Sequence, residues 1–478
     1  MKMPDQGLTR DDVFARLEAH RAADMNWRSG RAWAYVYDAG AEAEQVCKQA
    51  FTAFLSENAL DPTVFPSVVR LETELVAMMA SHLNGAPDTV GNFTSGGTES
   101  IFMAVKSARE AFRARHPEVS GTPQILLPVT AHAAFQKAAH YLGLETVLTP
   151  VGDDFRADVV ALRAAVGPRT ALVVGSACSY AHGVVDDIPA IGALAAEHGI
   201  PCHVDACIGG FLLPYFERLG LCVTPWDFRV PGVTSMSVDL HKYAFAAKGA
   251  SIILYRDDAL RRHQIYACST WSGYTIVNNT LQSSKSAGPM AAAWAVLHFL
   301  GDAGYLALAR TMYAATGAVC EGIDAIPGLR VLVPPDSNLV AFTTTDPSVS
   351  VFHVVDEMKV RGWYVQPQLS YEGSPANIHL SVNPKSAEWV PTMLADLAAS
   401  VVAASALPSG HLRALAPMLA DQLREGGDGG AFGDLLGMVG VQGTTLPDRM
   451  AGINELLDAL PPRAREGLLV EFANLLYR

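Results

Sequence analysis

The chain has 478 residues, half of them apolar, and a formal net charge of −13. Such a length supports a large core and more than one domain, and an acidic balance without a long basic run excludes nucleic acid as an expected partner. The seven cysteines (Cys47, Cys178, Cys202, Cys207, Cys222, Cys268 and Cys320) form no CxxC pair, which argues against a zinc site or a disulfide framework and for a reducing compartment. The opening "MKMPDQGLTRDDVFARLEAHR" lacks the apolar core of a signal peptide. The most apolar late stretch, "MLADLAASVVAASAL", carries Asp396 and is short for a bilayer. A cytoplasmic protein without a transmembrane segment is expected.

Residues 1–55 read as a helical and irregular N-terminal segment. In "RLETELVAMMASHL", Leu71, Leu75, Met78 and His82 recur at helical spacing and mark one buried face. Apolar strand-like runs follow at "QILLPV", "ETVLTPV", "TALVVGS", "PCHVDA", "GVTSMSV" and "SIILY". Helical stretches lie between several of them: "TESIFMAVKSAREAFRA", "AAFQKAAHYLG" and "DIPAIGALAAEHG". This alternation predicts a large α/β domain over 56–310, its mostly parallel sheet covered on both faces. Ligands of such sheets bind beyond the carboxyl ends of the strands. Over 311–405 the strands "LRVLVPPDSNLVAFTT", "WYVQPQL" and "NIHLSV", flanked by "VFHVVDEMKVRG" and "AEWVPTMLADLAASVV", predict a smaller α+β domain. Residues 406–478 form a mostly helical tail interrupted by a Gly-rich linker, "REGGDGGAFGD".

Four motifs carry chemistry. "NFTSGGTESIFMAVKSA" sets two glycines before a helix, where free N–H groups and the dipole suit a phosphate; the plain alternative is a cap at Ser95 or Thr98. "PCHVDACIGG" ends an apolar strand on Asp205, either a partner for a protonated ring nitrogen or a cap for the next turn. His132, at the start of the helix after "ILLPV", either stacks over a flat ring or is a structural histidine. "SVDLHKYAFAAKGASIILYR" places His241 and Lys242 after a strand and a second lysine, Lys248, six residues on. Lysine is rarely buried, so both amines reach solvent or one is chemically occupied. Covalent attachment of pyridoxal 5′-phosphate (PLP) to Lys242 accounts for the pair.

With these pieces in order, the chain resembles PLP-dependent enzymes of fold type I, the aspartate aminotransferase-like fold. Within them it resembles the group II decarboxylase branch and, in that branch, the sphingosine-1-phosphate lyases in their soluble, bacterial-type form. The similarity runs from about residue 27 to the end through "FPSVVRLETELVAMMASHLNG", "TSGGTESIFMAVKSAR", "AHAAFQKAAHYLG", "HGVVDDIPAI", "HVDACIGGFLLPYFERLG", "DFRVPGVTSMSVDLHKYAFAAKG" and "GMVGVQGTTLPDR". The resemblance implies that Lys242 bears the cofactor, Asp205 pairs with the pyridine nitrogen and His132 stacks on the ring. Gly97, Thr98 and His241 would hold the phosphate, helped by Ser284 of the partner subunit in a homodimer with shared active sites. Tyr180 and Lys248 would stand near the substrate as catalytic residues, with Tyr37 reaching in from the N-terminal segment. A second lysine at this spacing is typical of the lyases, whereas the amino-acid decarboxylases usually lack one there.

Two departures touch the substrate. "LDPTVFP" has Asp61 where the lyases carry a histidine associated with the substrate phosphate, and "SSKSAG" has Lys285 in place of an arginine. Arginine to lysine keeps the charge but loses bidentate geometry; an aspartate puts negative charge where an anionic head group would sit. Three readings follow. The first is a carbon–carbon lyase cleaving a 2-amino-3-hydroxy substrate, such as a phosphorylated sphingoid base, to an aldehyde and an amine. The second is an amino-acid decarboxylase of the same fold. The third, a catalytically silent scaffold, is disfavoured by intact Lys242, Asp205 and His132.

Overall fold

The structure is a computed structural model and describes residues 2–61, 63–410, 412–424 and 447–477. Its centre is a seven-stranded sheet of β1 (Val90–Thr94), β2 (Gln124–Pro128), β3 (Glu145–Thr149), β4 (Thr170–Ser176), β5 (Cys202–Asp205), β6 (Ser235–Val238) and β7 (Ser251–Tyr255), in the order β1-β7-β6-β5-β4-β2-β3. β7 runs antiparallel to both neighbours and the other pairings are parallel. Every residue of β4, β5, β6 and β7 is buried, as expected for strands covered on both faces, which need apolar residues without alternation. The edge strand β3 leaves Glu145, Thr146 and Leu148 exposed.

The strands read from sequence are the strands of this sheet, except β1. "VGNFT" carries Gly91 and Asn92, poor strand formers, and is held in place by pairing along β7 from Val90↔Tyr255 to Thr94↔Ser251. A hairpin of β8 (Tyr266–Cys268) and β9 (Ile276–Asn278) was likewise not foreseen.

The first helices are α1 (Arg10–His20), α2 (Ala41–Ala53) and α3 (Pro66–His82). They are followed by α4 (Gly97–Arg115), α5 (Ala134–Leu142), α6 (Val159–Ala165), α7 (Ile188–Glu197), α8 (Gly209–Arg218), α9 (Asp258–Arg261) and α10 (Gly288–Asp324). On α3, Leu75 is fully buried while Leu71, Met78 and His82 are partly so. α10 bends at Gly301, whose φ is 57°. It crosses the boundary expected at residue 310, and its apolar residues pass from the large core to the small one between Met312 and Ala315.

The small domain is the antiparallel sheet β10-β11-β13-β12, formed by β10 (Leu329–Val331), β11 (Leu339–Thr344), β12 (Gln366–Gln368) and β13 (Asn377–Ser381). It packs with α11 (Val351–Val360) and α12 (Val390–Ser405). The N-terminal segment has no core of its own. Trp33 is buried among small-domain residues, whereas Ala43 and Cys47 of α2 belong to the large core. In the tail, α13 (Ala416–Arg424), α14 (Ala451–Ala459) and α15 (Pro462–Leu476) share a small cluster that includes Leu419, Leu456 and Leu468. The Gly-rich linker beyond Arg424 lies outside the described residues. Among the described residues, two helical stretches, Gly288–Asp324 and Ser386–Ser405, are long and apolar enough to cross a membrane. Both contribute residues to the cores named above.

Candidate active site

Because β1, β4, β5 and β6 run parallel, their carboxyl ends meet at one edge of the sheet. There a cavity of about 390 Å³ is lined by Gly96, Gly97, Thr98, His132, Tyr180, Asp205, His241 and Lys242, among others. One end of the cavity is the start of α4. Gly96 takes φ 151°, a value side chains rarely adopt, and α4 begins with Gly97. A Cβ on Gly97 would lie 2.7 Å from Asp239 Oδ2 and 2.8 Å from Cys207 Sγ, so glycine is required there. The alternative of a side-chain cap at Ser95 or Thr98 is not realised: Gly96 is the cap and offers no side chain, which suits an anion at the first amides of the helix. Ser95 N donates to Glu99.

Asp205 closes β5. Its Oδ1 accepts from Cys207 N at 3.1 Å and Ser237 Oγ at 3.3 Å, which fixes the carboxylate within the cavity wall. His132 precedes α5 rather than starting it, and its Nδ1 accepts from Ala134 N at 3.2 Å.

The lysine turn follows β6. Phe245 N donates to Lys242 O and Ala246 N to Leu240 O, both at 3.0 Å, so the chain doubles back at once. Lys242 Nζ forms an ion pair with Asp239 Oδ2 at 2.9 Å. Burial disfavours the ammonium, but the Asp239 charge and hydrogen bond, with smaller contributions from Cys207 and Tyr37, together outweigh it and hold Lys242 above the ordinary lysine range. Lys248 shows the opposite balance: the residue is exposed, but desolvation of the amine where it packs on the turn, reinforced by the Lys242 charge, lowers it to about 8. Its Nζ donates to His241 O at 3.2 Å and stands 4.2 Å from the centre of the Tyr37 ring. Tyr37 meets Tyr243 edge-on at 5.1 Å. Lys248 and Tyr37 do not line the main cavity. They line a neighbouring one of about 420 Å³ with Ala43, Cys47, Phe51 and Phe245.

Tyr180 does line the main cavity, and it is tied to the small domain. Its hydroxyl donates to Gln366 Oε1 at 2.6 Å, and its ring stacks on buried His379 at 4.4 Å. Burial pushes the phenol well above its ordinary range. Gln366, His379 and Asp239 escaped the sequence reading. The first two lie nearly two hundred residues from Tyr180, but Asp239 stands three residues before Lys242 and was readable.

Asp61, Ser284 and Lys285 are not brought to this cavity within one chain. Asp61 is exposed and accepts from Thr63 N and Oγ1, which keep its carboxyl below the usual range. Lys285 Nζ does not pair with it and donates to Phe93 O and Thr280 Oγ1.

The glycine cradle at a helix start, the carboxylate at a strand end and the nearby half-buried lysine fit PLP, with Gly97, Thr98 and His241 at the phosphate end. Fold and site thus define a PLP-dependent enzyme of fold type I. The profile of the pyridoxal-dependent decarboxylase conserved domain matches residues 3–345, and that of the C-terminal HTH domain of pyridoxal-dependent enzymes matches residues 394–475. The chain is 38% identical over 425 residues to sphingosine-1-phosphate lyase of Arabidopsis thaliana, covering 87% of this chain and 76% of that protein. It is 37% identical over 401 residues to the Dictyostelium discoideum lyase, covering 84% and 74%. The solved Burkholderia pseudomallei sphingosine-1-phosphate lyase superposes with a TM-score of 0.80 at 33% identity, covering 88% of this chain and 97% of that one. The chain belongs to the pyridoxal-dependent decarboxylase family, and it is a PLP-dependent lyase of the sphingosine-1-phosphate lyase kind.

Proposed function

We propose that the protein cleaves the carbon–carbon bond of a 2-amino-3-hydroxy substrate, a phosphorylated sphingoid base being the first candidate, to an aldehyde and an amine. The observation that carries this reading is a second amine, Lys248, bonded to the His241 carbonyl beside the cofactor lysine and lowered to about 8. Bound PLP supplies an electron sink for the substrate carbon next to the amine. Asp205 holds the ring end of the site and the start of α4 the phosphate end. Tyr180 keeps its proton, because its donation goes to an amide oxygen that cannot take it. The assignment of proton abstraction therefore falls on Lys248. Its neutral amine takes the proton of the substrate hydroxyl, and that oxygen becomes the aldehyde carbonyl as the neighbouring bond breaks. The other fragment gains a proton at carbon and leaves as the amine.

Two further features belong to the same proposal. A homodimer with shared sites is supported by the position of Asp61, Ser284 and Lys285 outside their own chain's cavity, and by exposed Tyr266, Trp271, Tyr274 and Val277 on the nearby hairpin. A cytoplasmic location is supported by seven unpaired cysteines. The family's name favours decarboxylation as the second reading. Purified protein incubated with sphingosine-1-phosphate and with a panel of amino acids separates the two. Aldehyde without carbon dioxide supports the lyase, and carbon dioxide from an amino acid with no aldehyde from the sphingoid base overturns it.

A further inference from the structure

We propose that Asp239 governs the protonation of Lys242, storing the lysine as an ammonium whenever it is not bonded to the cofactor. The inference rests on Lys242 being the cofactor lysine and is indifferent to lyase or decarboxylase chemistry. Asp239 follows β6 and its side chain is 2% exposed. One oxygen, Oδ2, holds Lys242 Nζ at 2.9 Å and stands 3.7 Å from His241 Nε2. The other, Oδ1, is buried without a hydrogen-bond partner. The same carboxylate fills the space a Cβ on Gly97 would need, so it sits between the phosphate cradle and the lysine.

A buried carboxylate with one oxygen unpartnered is stabilised chiefly by cations, and Lys242 is the nearer one. Burial pushes Asp239 up, yet Lys242, then His241, with help from the Ser251 hydroxyl, together outweigh it and hold it ionised. Other titratable groups around Lys242 are Cys207 just after β5, Tyr37 from the N-terminal segment, Lys248 across the turn, and Tyr180 and Asp205 in the cavity wall. The Cys207 thiol and the Tyr37 phenol are both held in their neutral forms by burial. Asp239 is therefore the fixed counter-charge of the lysine.

The consequence concerns bond making at Nζ. Condensation of an amine with an aldehyde forms a C=N bond and releases water, and it needs the neutral amine, so the ammonium must first lose its proton to solvent. Asp239 slows that step. Its benefit comes later: a lysine displaced by an amino substrate is kept charged beside the reacting carbon, as a proton donor. Asp239 is thus a positioning residue acting through Lys242.

The test uses apoenzyme and measures association, not turnover. Wild type and Asp239→Asn are mixed with PLP, and separately with phosphate-free pyridoxal, over pH 6–10, and the near-visible band is followed by stopped flow. Asp239→Asn should associate at least about tenfold faster at neutral pH with both aldehydes, since each unit of lost lysine pKa is about tenfold in neutral amine. Its rate profile should level off at lower pH than wild type. An unchanged or slower rate in the folded variant overturns the proposal, and so does acceleration confined to PLP, which would mean that the carboxylate acts on the phosphate. Should the variant not fold, the wild type followed to pH 11.5 still decides: its rate should rise without a plateau past the ordinary lysine value of about 10.4, and levelling off at or below that value overturns the assignment.

Discussion

The cofactor cavity and the polar loop at Asn279–Ser286 are built differently. In the cavity, strand ends and a helix start deliver Gly97, Asp205 and Lys242 to one place, each backed by fully buried strands. In the loop, Lys285 and Ser286 lie beside Asn58, and the segment from Asn58 to Asp61 is fastened to it by Ala59 N donating to Lys285 O at 2.9 Å. One region gathers its lysine, carboxylates and glycine cradle from strand ends of a single chain. The other lies outside that cavity, and the homodimer proposed above is what would bring Ser284 and Lys285 to a site.

The largest expected effect lies in the first region. Lys242→Ala should abolish both turnover and the near-visible band of reconstituted protein; an intact band would remove Lys242 from the centre of the site. Next comes Lys248→Ala, which should lower turnover by roughly 100- to 10,000-fold, the range of a general base, while the bound-cofactor spectrum persists. Loss of the cofactor instead would make Lys248 structural. The pH profile sharpens this. Lys248 accepts a proton only when neutral, and desolvation beside Lys242 puts that change at about 8. Wild-type turnover should therefore fall as the pH drops below about 8, and the residual activity of the variant should lack that limb.

The second region predicts subtler outcomes. Mixed Lys242→Ala and Ser284→Asp subunits, each inactive alone, should regain activity by forming one intact site per heterodimer. A light-scattering mass of one chain at dilutions that retain full activity would break the comparison. Smallest of all, Asp61→His should raise the preference for phosphorylated over unphosphorylated substrate by up to about fivefold, matching an exposed pair worth up to about 1 kcal/mol. Equal effects on both substrates would mean that Asp61 does not select between them.

The difference between the regions also explains what could be read from sequence. Gly97, Asp205, His241 and Lys242 were legible because a parallel sheet converts strand order into a place: a motif after a strand lands at the ligand edge. The strand β1 was hidden by Gly91 and Asn92, whose conformation is imposed by pairing with β7. The tie from Tyr180 to Gln366 was hidden because it joins two domains, and no local pattern records a contact made only after both have folded. The plain alternative at the start of α4, a side-chain cap from Ser95 or Thr98, is not realised, because Gly96 takes the cap position.

The reversed direction of β7 has a mechanical corollary. A parallel successor to β6 would need a crossover of a dozen or more residues, usually helical, to return to the far end of the sheet. The chain after Lys242 would then leave the ligand edge, and a lysine six positions on would stand on the flank of the sheet. Because β7 instead runs straight back, pinned to β6 from Val238↔Ile252 onward, both amines ride on one loop, Asp239 to Ala250, whose two ends are fixed by hydrogen bonds of the sheet. The separation of the amines is thereby a loop length, adjustable one residue at a time without disturbing a strand. Insertions there should retune the chemistry while leaving the fold and the cofactor cradle intact.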